Sequence, residues 1–475
     1  MDNLLSENCK SKCQIFTPEK NVEELLEWCN YKYNLYGKKV LEPTFGKGNI
    51  LIKIVQKYIE DCLINQMTIE EIKKGLEKDI YGVEYDKKYY NMCIKNLNDM
   101  VKKYGIDDVN WNLYNCDFLK KKFNFKFDYI IGNPPYISYK MLDEITREYV
   151  RTSFSICAEG KFDYCYAFIE KGIEILNEKG ILIYLIPGSI FKNVFSKKLR
   201  EFILEDLVAI HDYGTRKLFN EEASGKKRNI LTSSAVIVVE KKSSKENFSY
   251  FNEETENKTI ISKKNLSNNK WIFKKEFIKK NKRFGDYFKA ANSIATLCNK
   301  AFILTEEDNL YKEKNKIILK AISPKNMQTK KIEKIIFPYY YKKGELCRFE
   351  KNEFEEKFPD VCNHLKKYNS ELNQRNSDEN INWYEYGRSQ ALKDMNKQKL
   401  LLSIIVTNKV KVYKLNKNEI PYSGIYIIPK SNLTLEQAKE ILESSEFYEY
   451  IMDVGINVSG ESYRITSKDI SNYYF

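Results

Sequence analysis

A doubly wound α/β sheet followed by a second, α+β domain is the architecture this sequence predicts, and three observations lead to it. Strand and helix signals alternate through the first half of the chain. A turn bearing two glycines, Phe45-Gly46-Lys47-Gly48, separates the first strand signal from a helix. After Lys241-Lys242-Ser243-Ser244-Lys245 the alternation stops, and a stretch rich in Lys, Asn and Tyr takes over.

With 475 residues the chain exceeds what one compact core usually holds. The change of rhythm places the domains at 1–245 and 246–475, with a polar linker-like stretch up to about residue 270. Within the first domain, 18–36 reads as a helix with Thr17 as N-cap and Pro18 in its first turn. Val40-Leu41-Glu42 reads as a strand, broken by Pro43, Gly46 and Gly48, and 50–60 resumes a helical pattern. The stretch 61–78 reads as an inserted helix, 80–84 as the second strand and 86–104 as the helix that follows. A third strand leads to Asn115-Cys116-Asp117-Phe118. The fourth, 127–131, runs into Gly132-Asn133-Pro134-Pro135-Tyr136. A helix over 163–176 and strands over 181–186, 208–213 and 234–239 complete the alternation.

Composition narrows the chemistry. Hydrophobic residues are 43% and charged residues 31%, the balance of a folded globular chain. The net charge of +13 suits a polyanionic partner. A sequence simply biased toward Lys, Asn, Ile and Tyr would carry the same excess. Two histidines, His211 and His364, make Ser-His-Asp, Cys-His and multi-histidine metal chemistry poor candidates, so no metal is expected. Eleven cysteines stand without a CxxC pair, and the first residues contain no secretory apolar region, so free thiols in a reducing cytoplasm are expected. No apolar run approaches the roughly 20 residues that a membrane span needs.

The carboxyl ends of the strands carry the polar residues that bind ligands in such sheets. Glu42, Glu84 and Asp117 follow three successive strands. The Gly46 and Gly48 turn lets backbone approach a ligand at a helix N-terminus, where N–H groups are free. Singly, each acid reads better as a solvated loop residue or a cap, and it is the three together at successive strand ends that point to a ligand.

Asn133-Pro134-Pro135-Tyr136 is the most specific segment. An amine conjugated to an aromatic ring is a poor nucleophile, because its lone pair is delocalised. Two acceptors on its two N–H bonds draw the nitrogen toward tetrahedral geometry. The Asn133 side-chain oxygen and the Pro134 carbonyl can supply them, and Tyr136 can stack on the ring. An ordinary proline turn capped by a tyrosine is the bland alternative.

These segments resemble the gamma-class adenine-N6 DNA methyltransferases of restriction-modification systems. The resemblance covers about the first 240 residues in order, including Ile15-Phe16-Thr17-Pro18 and Tyr166-Ala167-Phe168. It implies S-adenosylmethionine as cofactor, with Thr17 and Glu42 at its methionine end, Gly46 and Gly48 beneath it, Glu84 at the ribose, and Asp117 and Phe168 at the adenine. On periodicity alone Phe168 is a core residue of its helix. The resemblance further implies that Asn133, Pro134 and Tyr136 serve a target adenine flipped out of the duplex, with Phe219 as a second aromatic wall. Double-stranded DNA is the implied partner, with room for a separate restriction endonuclease. The second half would be a target-recognition domain, on the weaker likeness of Thr296-Leu297-Cys298-Asn299, Trp383-Tyr384-Glu385-Tyr386-Gly387-Arg388 and Gly460-Glu461-Ser462-Tyr463-Arg464. Lys274, Lys275, Lys279, Lys280, Lys282 and Arg283 would suit phosphate contacts. A glutamine side chain of a protein, or adenine in RNA, presents the same planar amine and stays open as a substrate.

Overall fold

The computed structural model describes residues 17–214, 216, 218, 233–266, 270–273, 280–313 and 315–475. The chain divides into two compact units, Met1–Phe273 with Asn457–Gly460, and Lys274–Ile456 with Glu461–Phe475.

Among the described residues, the first unit is built on a nine-stranded sheet. Its strands are β1 (Val40–Glu42), β2 (Ile80–Val83), β3 (Asn112–Tyr114), β4 (Phe127–Gly132) and β5 (Leu176–Pro187). β6 (Leu207–Asp212), β7 (Ser234–Glu240), β8 (Asn247–Asn252) and β9 (Asn257–Ser262) complete it. The order is β3-β2-β1-β4-β5-β7-β6-β8-β9. The pairs from β3 to β5 are parallel, while β7 runs antiparallel to both β5 and β6. Helices α1 (Glu19–Trp28), α2 (Asn49–Ile64), α3 (Ile69–Asp79), α4 (Lys87–Val101), α5 (Glu144–Ser153), α6 (Cys165–Glu174) and α7 (Lys197–Leu204) connect or cover the strands. Strands with both faces covered must be apolar on both, and β1, β2 and β7 are buried along nearly their whole length. The predicted fold class is the observed one.

Three boundaries differ from those read in the sequence. The stretch after Lys245 is not a linker: β8 pairs parallel with β6, β9 pairs antiparallel with β8, and the first unit therefore runs to Phe273 rather than 245. Edge strands tolerate polar residues, and β9 is largely exposed, which is why it reads as loop. The first helix stops at Trp28, and Pro18, not Thr17, is its N-cap. The helix read over 61–78 is α3, which begins only at Ile69, opened by a capping box between Thr68 and Glu71, while residues 61–64 end α2.

The strand order reverses between β1 and β4: the chain leaves β1 outward through β2 and β3, then returns to β4 on the other side of β1. At such a switch point the connections diverge and leave a crevice at the carboxyl ends of the two strands. Glu42 ends β1, and Asn133 follows β4 directly.

The second unit has its own core, in which Phe302, Phe337, Tyr384 and Tyr386 are buried. It contains a four-stranded sheet of Phe288–Asn292, Ile425–Pro429, Lys399–Leu402 and Val412–Leu415, and a second of Ile303–Leu304, Glu333–Ile336, Ile318–Ile322 and Glu419–Pro421.

Candidate active site

The glycine turn is shaped by what lies behind it. Gly48 has φ +95 and is the N-cap of α2, a left-handed conformation that a side chain resists. A Cβ there would also stand 2.6 Å from the Cys93 sulfur. Gly46, at φ +54, donates its N–H to Glu84 Oε2 at 2.8 Å. The Asp86 N–H donates to the other oxygen of Glu84 at 2.7 Å. The carboxylate at the end of β2 thus ties down the turn after β1 and keeps further lone pairs for a ligand. Burial raises the Glu84 carboxyl above the usual carboxylate range, against the pull of those two N–H groups.

Glu42 is buried, and its Oε2 has no hydrogen-bond partner among the described residues. Burial drives its carboxyl well above the ordinary carboxylate range, and the neighbouring Glu84 adds to the push. A buried acceptor without a donor is costly, roughly 1–3 kcal/mol, and in a native fold it calls for an occupant. An ammonium group meets that demand. Asp117 lies beyond β3 and accepts the Leu119 N–H at 2.9 Å; burial raises its carboxyl too. Phe168 is buried on α6, its ring 5.3 Å from that of Phe118, the residue after Asp117.

Lys171, also on α6, was not singled out in the sequence. Its Nζ donates to the carbonyls of Leu119 and Lys121, each at 2.7 Å, and so fixes the loop that carries Asp117. Burial lowers this amine to about 8. Its helical period marked it only as an ordinary position, since a lysine this buried is rare.

The end of β4 is held from two sides. Gly132 abuts Pro43, where a Cβ would be 3.1 Å from the proline Cδ. Thr44 Oγ1 donates to the Asn133 carbonyl at 3.1 Å. The Asn133 Nδ2 donates to Thr17 Oγ1 at 3.2 Å, and the Thr17 carbonyl accepts from Asn49 Nδ2 at 2.9 Å. What remains of Asn133 is Oδ1, which is buried and has no partner among the described residues. The Tyr136 hydroxyl is likewise buried and unpartnered there, and burial raises it well above its ordinary value. The chain leaves the tetrapeptide pinned: Tyr164 N–H donates to the Ile137 carbonyl at 2.9 Å.

Thr17, Glu42, Gly46, Gly48, Glu84 and Asn133 are therefore linked by hydrogen bonds or by adjoining strand ends, with Asp117 and Phe168 paired through Phe118. Phe219 lies outside the described residues, as do Lys274, Lys275 and Lys279. Lys280 and Lys282 are exposed. In the second unit, two of the segments singled out in the sequence meet, with Arg388 N–H on the Ala295 carbonyl and Gly387 N–H on that of Thr296, both at 3.1 Å. They are scaffold, since Thr296, Tyr384 and Tyr386 are buried.

The donor set fits S-adenosylmethionine: a carboxylate with one unpartnered oxygen for an ammonium, a held carboxylate for a diol, and a glycine turn at a helix N-terminus. No metal cluster is present among the described residues, and no helix there is long and apolar enough to cross a membrane.

Comparison with known proteins agrees. Residues 31–219 match the family model described as Eco57I restriction-modification methylase. The Type II restriction enzyme and methyltransferase RM.Eco57I of Escherichia coli is 27% identical over 82% of this chain and 49% of its own length. The Type II methyltransferase M.BstVI of Geobacillus stearothermophilus is 27% identical over 40% of this chain and 36% of its own. The modification methylase CviBIII of Paramecium bursaria Chlorella virus NC1A is 31% identical over 43% and 45%. The chain thus spans half or less of these relatives' length. In fold, it is similar to the Type IIL restriction-modification enzyme MmeI, solved in complex with DNA, with a TM-score of 0.62 at 15% identity over 96% of this chain and 64% of that one. The DrdV–DNA complex gives 0.55 at 12% identity, over 95% and 53%.

Proposed function

We propose that this chain, whose residues 31–219 match the Eco57I restriction-modification methylase model, methylates N6 of an adenine flipped out of double-stranded DNA. S-adenosylmethionine supplies the methyl group as a sulfonium. The observation that carries the reading is Asn133: its amide nitrogen is held by Thr17 while its oxygen stays buried and unpartnered at the end of β4, beside the end of β1. That oxygen and the Pro134 carbonyl accept the two hydrogens of the target amine and turn its lone pair toward the methyl group. Tyr136 offers a ring for the extruded base. In-line transfer to a neutral amine asks for positioning and a dry pocket more than for a strong base, which suits a site without histidine. The second unit serves as the target-recognition domain in this reading, and the chain's charge of +13 favours a phosphate backbone.

The test is to incubate the chain with duplex DNA and methyl-labelled cofactor, then digest the DNA to nucleosides. Label in N6-methyladenine supports the proposal. Label only in a cytosine nucleoside, or no label in DNA while RNA or protein offered in parallel is methylated, would overturn it.

A further inference from the structure

We infer that Thr17 is a positioning residue for the proposed reaction, its hydroxyl anchoring the Asn133 side-chain amide at the end of β4 so that the amide is held still against the target amine. This inference rests on the reading of Asn133 given above and goes beyond the cofactor contact expected for Thr17.

A primary amide has two nearly isosteric ends of opposite polarity. With the oxygen facing the pocket, Asn133 accepts an N–H from the substrate. Turned by half a rotation, it would set its own N–H groups against those of the substrate, and the site would repel what it must bind. The amide therefore needs an anchor, and the structure offers one. Thr17 Oγ1 accepts the Asn133 Nδ2 hydrogen at 3.2 Å across 116 residues of sequence. The threonine is itself immobilised, because its side chain is buried and its carbonyl accepts from Asn49 at 2.9 Å. Thr44 holds the Asn133 main chain at 3.1 Å, and Thr17 holds the far end of its side chain. Once the hydroxyl is gone, the amide has lost its partner on that side and is free to turn either end toward the pocket.

This role separates from cofactor binding by experiment. In Thr17→Val, kcat at saturating cofactor should fall by about 10- to 100-fold, the cost of one misplaced buried polar group. The affinity for S-adenosylhomocysteine, measured calorimetrically, should stay within about threefold. Thr17→Ser, which keeps the oxygen, should restore kcat to within about threefold. Thr17→Ala removes the hydroxyl without steric demand and replaces the valine variant if that fails to fold. Wild-type kcat in Thr17→Val or Thr17→Ala would overturn the inference. So would a loss of S-adenosylhomocysteine affinity with kcat unchanged, since the hydroxyl would then serve the cofactor. If the unsubstituted chain transfers no methyl group to adenine, it is the parent reading that fails.

Discussion

Gly46 donates its backbone N–H to the Glu84 carboxylate at 2.8 Å, and this one bond joins the turn after β1 to the end of β2. Two successive strand ends are thereby locked into one surface. Replacing Glu84 by Ala removes both of its N–H partnerships, with Gly46 and with Asp86. Hydrogen bonds to a charged group contribute about 1.5–3 kcal/mol each. Calorimetry with S-adenosylhomocysteine should show affinity reduced by about 10- to 100-fold in Glu84→Ala. Unchanged affinity would mean that the turn holds its shape without this carboxylate.

Glu42 links function to pH. Its folded-state pKa lies above its unfolded value, through burial and the nearby Glu84. The folded chain therefore holds a proton that the unfolded chain has already released, and stability is lost as pH rises through the folded range. Glu42→Gln should flatten that slope in urea unfolding of the cofactor-free protein as pH rises above the ordinary carboxylate range, and should raise stability at neutral pH by about 1–3 kcal/mol. The same variant should bind S-adenosylhomocysteine at least about tenfold more weakly, having lost the carboxylate offered to an ammonium. A slope identical to that of the unsubstituted chain would show that Glu42 is not the group responsible.

Gly48→Ala tests the cradle. The new Cβ would lie 2.6 Å from the Cys93 sulfur on a backbone at φ +95. Left-handed strain and the contact together should cost about 1–3 kcal/mol, read as a drop in thermal midpoint of several degrees. Pairing it with Cys93→Ala should recover part of that loss, and no recovery would place the whole cost in the backbone.

Lys171→Met removes the two bonds that hold Leu119 and Lys121. The loop bearing Asp117 should loosen, weakening S-adenosylhomocysteine by about tenfold while kcat at saturation changes little. A kcat effect without an affinity effect would move Lys171 away from the cofactor.

The sheet was legible because its strands are short apolar runs bounded by Gly, Pro and acids, and the site because Asn133-Pro134-Pro135-Tyr136 and the glycine turn are each an unbroken segment of sequence. What could not be read was contact at long range or against local preference. Thr17 looks like a helix cap next to Pro18, yet its hydroxyl serves Asn133, which only the folded sheet brings within reach. Lys171 looks like a helix-surface cation, but α6 is buried along almost all its length and turns that amine inward. β8 and β9 carry too many polar residues to signal strands, because an edge of the sheet does not demand apolar ones. The second unit gave no period at all. Its core is aromatic and assembled from short strands and short helices, with Tyr384 stacked on Phe354 at 4.0 Å across 30 positions that include the helices Pro359–Lys366 and Asn369–Asn373.

The most direct measurement is single-turnover methylation of duplex DNA by Asn133→Ala beside the unsubstituted chain, with N6-methyladenine quantified by mass spectrometry. If the unpartnered oxygen of Asn133 grips the target amine, the variant should be slower by about 10²- to 10³-fold while its affinity for S-adenosylhomocysteine is retained. An equal rate in the two proteins would contradict the account.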